Sequence, residues 1–282
     1  MKIRSQLIFF FSIVIVFSIG ISSYFAISYT ESSILDAEIT KMEYHNLEIM
    51  HEVETLHQRA SDDLVFALKN PKFVEYFELP ETKAGNVYDE NGVMQFTDAQ
   101  RELKQDLEQW TYHFQNKFDV DETCIIDVTG QEHARLVLSQ IEVDENLSSE
   151  EASAPFFEPS FTKQKDEVHV QYPYVSPDTE RWVFAYTSPV ELGTGQKPAI
   201  YHFEMPMFVF ENLLDARDGR MLVVDPNGYI IADTTNSVTD EVLSSQPENQ
   251  FPAFQTAFGD DSSSILSEMK LNPMGDGSYF DG

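Results

Sequence analysis

Twenty-three consecutive residues, 7–29, carry no charge. In a helix rising ~1.5 Å per residue, such a run reaches across a hydrocarbon core of ~30 Å. Lys2 and Arg4 precede it, whereas Glu31, Asp36 and Glu38 come before the next basic residue, Lys41. The positive-inside bias therefore predicts a cytoplasmic N-terminus over 1–6, a transmembrane helix over 7–29, and an extracytoplasmic chain over 30–282. A cleaved signal peptide is the competing reading, because Gly20-Ile21-Ser22 offers small residues. The apolar run is longer than a typical signal core.

The pattern then changes to steps of three and four: Leu35, Ile39, Met42, Met50, Val53, Leu56, Ala60, Leu64, Ala67 and Leu68 form one apolar stripe. No Pro or Gly interrupts residues 30–70, and Asn70-Pro71 is a stop signal, so a long stalk helix is expected over 30–70. Its stripe suits a second copy in a homodimer, the face of a sheet, or both. A second helix is signalled over 98–118 by Leu103, Leu107, Trp110, Phe114 and Phe118, with Thr97 and Gln100 at capping-box spacing. The polar segment 83–97, with its Asn91-Gly92 turn, reads as a loop or small hairpin.

Beyond residue 120 the period shortens to that of strands, and a unit repeats. Cys124-Ile125-Ile126 runs into Asp127-Val128-Thr129-Gly130, and Leu222-Val223-Val224 runs into Asp225-Pro226-Asn227-Gly228. Asp127 to Asp225 and Gly130 to Gly228 are both steps of 98, and Ala134 and Ala232 keep the register. An Asp side chain that closes a turn, with Gly supplying positive φ, makes each unit a hairpin. Strands are also expected over 168–175, 181–190 and 197–208, then a short helix over 208–214. Hairpin-length connections predict an antiparallel sheet with helices, an α+β module occurring twice in tandem. The first module takes 71–215. The second, 216–282, is shorter and reads as truncated, a piece of something longer.

Composition narrows the class. The chain has 48 acidic and 18 basic residues, and a sequence pI near 4.3. All the acids and 16 of the basic residues follow residue 30, which leaves −32 on the external part. So acidic a chain is no nucleic-acid partner, since phosphate neutralisation needs clustered Lys and Arg. The surplus is read as solubility. The single cysteine, Cys124, excludes an intramolecular disulfide framework and any multi-thiolate metal site.

With these parts in order, the chain resembles the double Cache extracytoplasmic sensor of prokaryotic membrane receptors. The likeness rests on the anchor, the long helix, the two Asp-x-x-Gly hairpins, Pro155-Phe156-Phe157-Glu158-Pro159, and the strands on either side of Ser176-Pro177-Asp178-Thr179. It implies two stacked PAS-like modules and a small ligand in the membrane-distal one. The amino-acid-binding branch carries an Arg-x-Trp and a Tyr-x-Asp pair. Here Arg135 and Tyr174 match, but Val137 and Ser176 stand where the Trp and Asp belong. Glu204 is the counterpart expected for a later acidic ligand.

Arg135 is thus expected either to grip a ligand carboxylate or to make a structural salt bridge, with Glu204 as a partner. Trp182, Phe184 and Tyr186 share one strand face, and Tyr172 and Tyr174 another, so they wall a pocket or fill a core. The expected ligand-binding set is Arg135, Tyr172, Tyr174, Trp182, Tyr186 and Glu204, for a carboxylate or an amine. His45, His51 and His57 do not keep one helical face, and Asp119-Val120-Asp121 does not complete a calcium loop, so no metal and no cofactor are expected. Phosphate-binding, nucleophile-elbow and zinc-protease motifs are missing, and no catalytic residue is expected. The expected role is a sensor for a histidine kinase. A methyl-accepting chemoreceptor and an anchored, non-signalling binding or adhesion protein are the alternatives.

Overall fold

A computed structural model describes residues 2–118, 120–214, 220–224, 230–235 and 262–271. Two units arise from the contacts, Met1–His51 with Ser263–Gly282, and Glu52–Ser262. A single helix, α1 (Lys2–Ala67), takes in both the apolar run and the expected stalk. Its most apolar 18-residue window has a mean hydropathy of 2.3 and none of it is buried, so by length and composition it suffices to cross a membrane. The first unit also holds nearly all of a ten-residue helix, Ser262–Leu271.

In the second unit, Ala60, Leu64 and Ala67 of α1 are buried, the three-and-four spacing of one helical face. Helix α1 stops at Ala67, four residues before Pro71, which is itself the N-cap of α2 (Lys72–Glu78); α3 (Pro80–Lys83) follows. The segment 83–97 is a small hairpin, β1 (Val87–Tyr88) with β2 (Met94–Gln95), closed by Gly92 at φ 81°. Helix α4 (Asp98–Phe118) begins on the expected capping box: the Thr97 amide donates to Gln100 Oε1 at 2.9 Å and the Gln100 amide to Thr97 Oγ1 at 3.3 Å.

The main sheet comprises β3 (Glu122–Asp127), β4 (Glu132–Val137), β5 (Gln140–Ile141), β6 (His169–Val175), β7 (Trp182–Val190) and β8 (Ala199–Pro206). Its order is β5-β4-β3-β8-β7-β6 and every pairing is antiparallel. The Asp127 turn forms as its residue types dictate: Asp127 Oδ1 accepts from the amides of Thr129 at 2.7 Å and Gln131 at 3.1 Å. Gly130 sits at φ 87°, with space for a Cβ taken by the Ala152 amide. Asp127 also ties the sheet to the helices, because His133 Nε2 lies 3.1 Å from its Oδ2 and His133 Nδ1 lies 2.7 Å from the Tyr76 hydroxyl of α2.

Alternation gives the sheet two unlike faces. Phe184, Tyr186, Tyr201 and Phe203 meet His57, Phe73 and Phe114 from α1, α2 and α4. On the other face Cys124, Ile126, Ala185 and Ile200 pack under Phe156 and Phe157, where the chain enters α5 (Phe157–Thr162). After β8 come α6 (Phe208–Glu211) and a 3-10 turn, Asn212–Leu214. The hairpin expected 98 residues after the first is present as β9 (Leu222–Val224) against β10 (Ile230–Asp233), braced by a two-point ion pair of Arg220 with Asp233. Its turn, 225–229, and most of the expected second module lie outside the described residues. Counted in chain order, Ser262–Leu271 is α7.

Candidate functional site

The sheet face beneath Phe156 concentrates ionisable groups that a core strand does not need. Cross-strand register brings Glu122 opposite Glu204, and Cys124 opposite both His202 and Arg135. Each of the five is less than a tenth exposed. Charged side chains are seldom that buried unless they are paired or bind something.

Arg135 is the cation among them. Its Nη1 lies 3.2 Å from Glu132 Oε2 and 3.0 Å from Asp178 Oδ1, and its Nη2 donates to the Asn146 carbonyl. Its Nε is buried without a hydrogen-bond partner. The expected pairing of Arg135 with Glu204 does not occur. Glu204 lies two strands from Arg135, on β8, and its Oε1 accepts from the Tyr174 hydroxyl instead. Glu122 is hydrogen-bonded by the Cys124 thiol at 3.0 Å and the Ser176 hydroxyl at 3.3 Å.

Burial dominates the electrostatics. It pushes Glu132 up to about 7, against the pull of Arg135, and Glu204 up to about 7, against the Tyr174 hydrogen bond. Glu122 is driven well above the ordinary carboxylate range by burial and then by the neighbouring Glu204. Burial also lowers the His202 imidazole to about 3, under the stacked Phe156 ring at 4.2 Å. Burial thus works against the charged form of all three carboxyls on this face.

Of the six residues singled out in the sequence, the structure brings Arg135, Tyr174 and Glu204 to this face. Trp182 and Tyr186 are on the opposite one, because they alternate with Ala185, and Tyr186 spends its hydroxyl on His57 Nδ1 at 2.6 Å. Tyr172 is 54% exposed. The ladder shifts register between Gln171 and Tyr174, so Tyr172 does not share the face of Tyr174. Glu122, Glu132, Cys124, Asp178 and His202 were not singled out for binding. Their one sequence signal is a charged or polar group inside an otherwise apolar strand, at Glu122, Glu132 and His202.

No family model and no curated protein matches the chain. Solved structures do. The sensory domain of the Campylobacter jejuni chemoreceptor Tlp3 (CcmL) with isoleucine bound is 14% identical, with a TM-score of 0.59, over 89% of this chain and 85% of that one. The extracellular domain of vpHK1S-Z8, described as a histidine kinase, is 13% identical with a TM-score of 0.61 over 86% and 82%. The sensor domain of the V. cholerae histidine kinase DctB is 11% identical with a TM-score of 0.53 over 71% and 67%. At such identities the likeness is one of architecture: the chain shares the α+β fold of these domains.

Proposed function

We propose that the chain is the extracytoplasmic ligand-sensing region of a transmembrane receptor, together with a membrane helix over residues 7–29. Its N-terminus is cytoplasmic and residues 30–282 are extracytoplasmic, by the charge bias on either side of the helix. A small solute binds the membrane-distal module, 71–215, and the output runs to a histidine kinase in a homodimeric receptor. A chemoreceptor output is the second reading, favoured by the likeness to Tlp3, whose sensory domain was solved with isoleucine bound.

The observation that carries this reading is the buried Arg135 with an unpartnered Nε, beside Glu132 with an unpartnered Oε1. Buried polar atoms are almost always hydrogen-bonded, so an unpartnered donor and acceptor on neighbouring side chains are suited to a ligand's own polar groups. Arg135 is the group for a carboxylate, and Tyr174 with Glu204 the group for an amine. Binding shifts a receptor only if the two signalling states differ in affinity for the solute.

A thermal-shift screen of the detergent-solubilised chain against amino acids, organic acids, amines and purines tests the reading. A ligand at 100 times its Kd adds ~2.7 kcal/mol of stability. For a carboxylate-bearing hit, Arg135→Ala should weaken binding at least ~10-fold, as loss of a charged hydrogen bond does. Unchanged affinity would make Arg135 a structural ion-pair residue.

A further inference from the structure

The buried face holds a second feature, next to the groups assigned to a solute. Glu122 and Cys124 on β3 lie opposite Glu204 and His202 on β8, a two-by-two array on adjacent antiparallel strands. One ligand atom each of Glu122, Cys124 and His202 falls within 4.8 Å of the other two, and all three side chains are buried. We propose that Glu122, Cys124 and His202 form a binding site for a borderline divalent transition-metal ion, Zn²⁺ in the first instance.

Two features point to a metal. The first is the state of His202. Its Nε2 faces the Tyr174 hydroxyl at 3.5 Å and Glu204 Oε1 at 3.8 Å, while Nδ1 is buried with no hydrogen-bond partner. A ring nitrogen facing a carboxylate, with the other left bare, is the arrangement in which a histidine ligates a metal. The residue is 2% exposed, so no bulk water serves Nδ1 in its place.

The second is the donor set. A thiolate, an imidazole nitrogen and a carboxylate oxygen are the three ligand types that Zn²⁺ takes, and tetrahedral geometry leaves a fourth position for water or a solute atom. Calcium and magnesium take oxygen donors, so a sulfur and a nitrogen among three ligands select against them.

This site goes beyond the sensing role and does not rest on it.

Cobalt is the probe, because thiolate ligation gives Co²⁺ an intense near-ultraviolet charge-transfer absorption. The full chain in detergent is stripped with chelator and titrated with Co²⁺ under anaerobic conditions, with excess Mg²⁺ occupying surface carboxylates. The expected result is one equivalent of Co²⁺ bound with the thiolate band, and Zn²⁺ displacing it. Cys124→Ser should abolish the band, and His202→Gln should weaken Co²⁺ binding by ~10-fold or more. The wild-type band reads out the site even if a variant folds poorly, and circular dichroism separates misfolding from ligand loss. Uptake without the band, a band that survives Cys124→Ser, or no stoichiometric uptake would each overturn the proposal. In the solute screen, a response without metal uptake leaves the sensor reading standing and this one overturned. Metal uptake without a solute response does the reverse.

Discussion

At Gly130 the chain has no freedom to accept a side chain. A Cβ built there lies 2.4 Å from the Ala152 amide nitrogen, and φ of +87° already strains any L residue. Gly130→Ala should therefore destabilise the domain by more than ~1 kcal/mol, read as a lower denaturant midpoint with an unchanged slope. His57 makes a different kind of prediction. It is held among Phe184, Tyr186 and Phe210, and burial lowers its pKa below the ordinary 6.5. The unfolded chain then binds a proton that the fold refuses, so this contribution is intact above pH ~6.5 and is lost as pH falls below it. Over about pH 7 to 5 Glu132 and Glu204, whose carboxyls burial raises to about 7, contribute with the opposite sign, and it is the difference between the two proteins that reports His57: acidification should lower the melting temperature more, or raise it less, in the wild type than in His57→Gln. Equal slopes would remove His57 from the account.

Elements with a local signature could be read from the sequence, and elements fixed by distant pairing could not. The capping box at Thr97 and Gln100, the Asp127–Gly130 turn and the strand edges around Ser176 each rest on residues within a few positions of one another. Thr97→Ala should cost ~1 kcal/mol, concentrated in loss of α4 and visible as faster amide exchange of its first turn. Helix α2, at seven residues, is too short to display a period, and it follows a proline that signals an end rather than a restart. The site shows the same limit. Arg135 and Glu204 were legible as charged residues in apolar strands, but their partners were not. Glu204 meets Glu122 because β8 pairs with β3, a register that no local pattern announces, and in a chain with 48 acids one more Glu in a strand carries little signal. His202 and Cys124 were passed over for the same reason: alone each is ordinary, and only the ladder sets them side by side.

The whole chain carries a formal charge of −30, far from the neutral balance of most globular domains. Like charges repel in the folded state more than in the expanded one, and salt screens them over a Debye length of ~10 Å at 0.1 M. Raising NaCl from about 0.01 M to 0.5 M should thus raise the melting temperature, an increase that a net-neutral domain would not show. The main sheet adds a constraint of its own on how copies of the chain can meet. At one margin stands β5, only two residues long, and at the other β6, which carries Pro173 and a break in its ladder. Short, kinked or proline-bearing margins offer no continuous row of free amides for a further strand. This sheet is closed to growth by addition, so crowding such domains on a membrane would not drive them into β-fibres, and self-association is left to surfaces other than its edges.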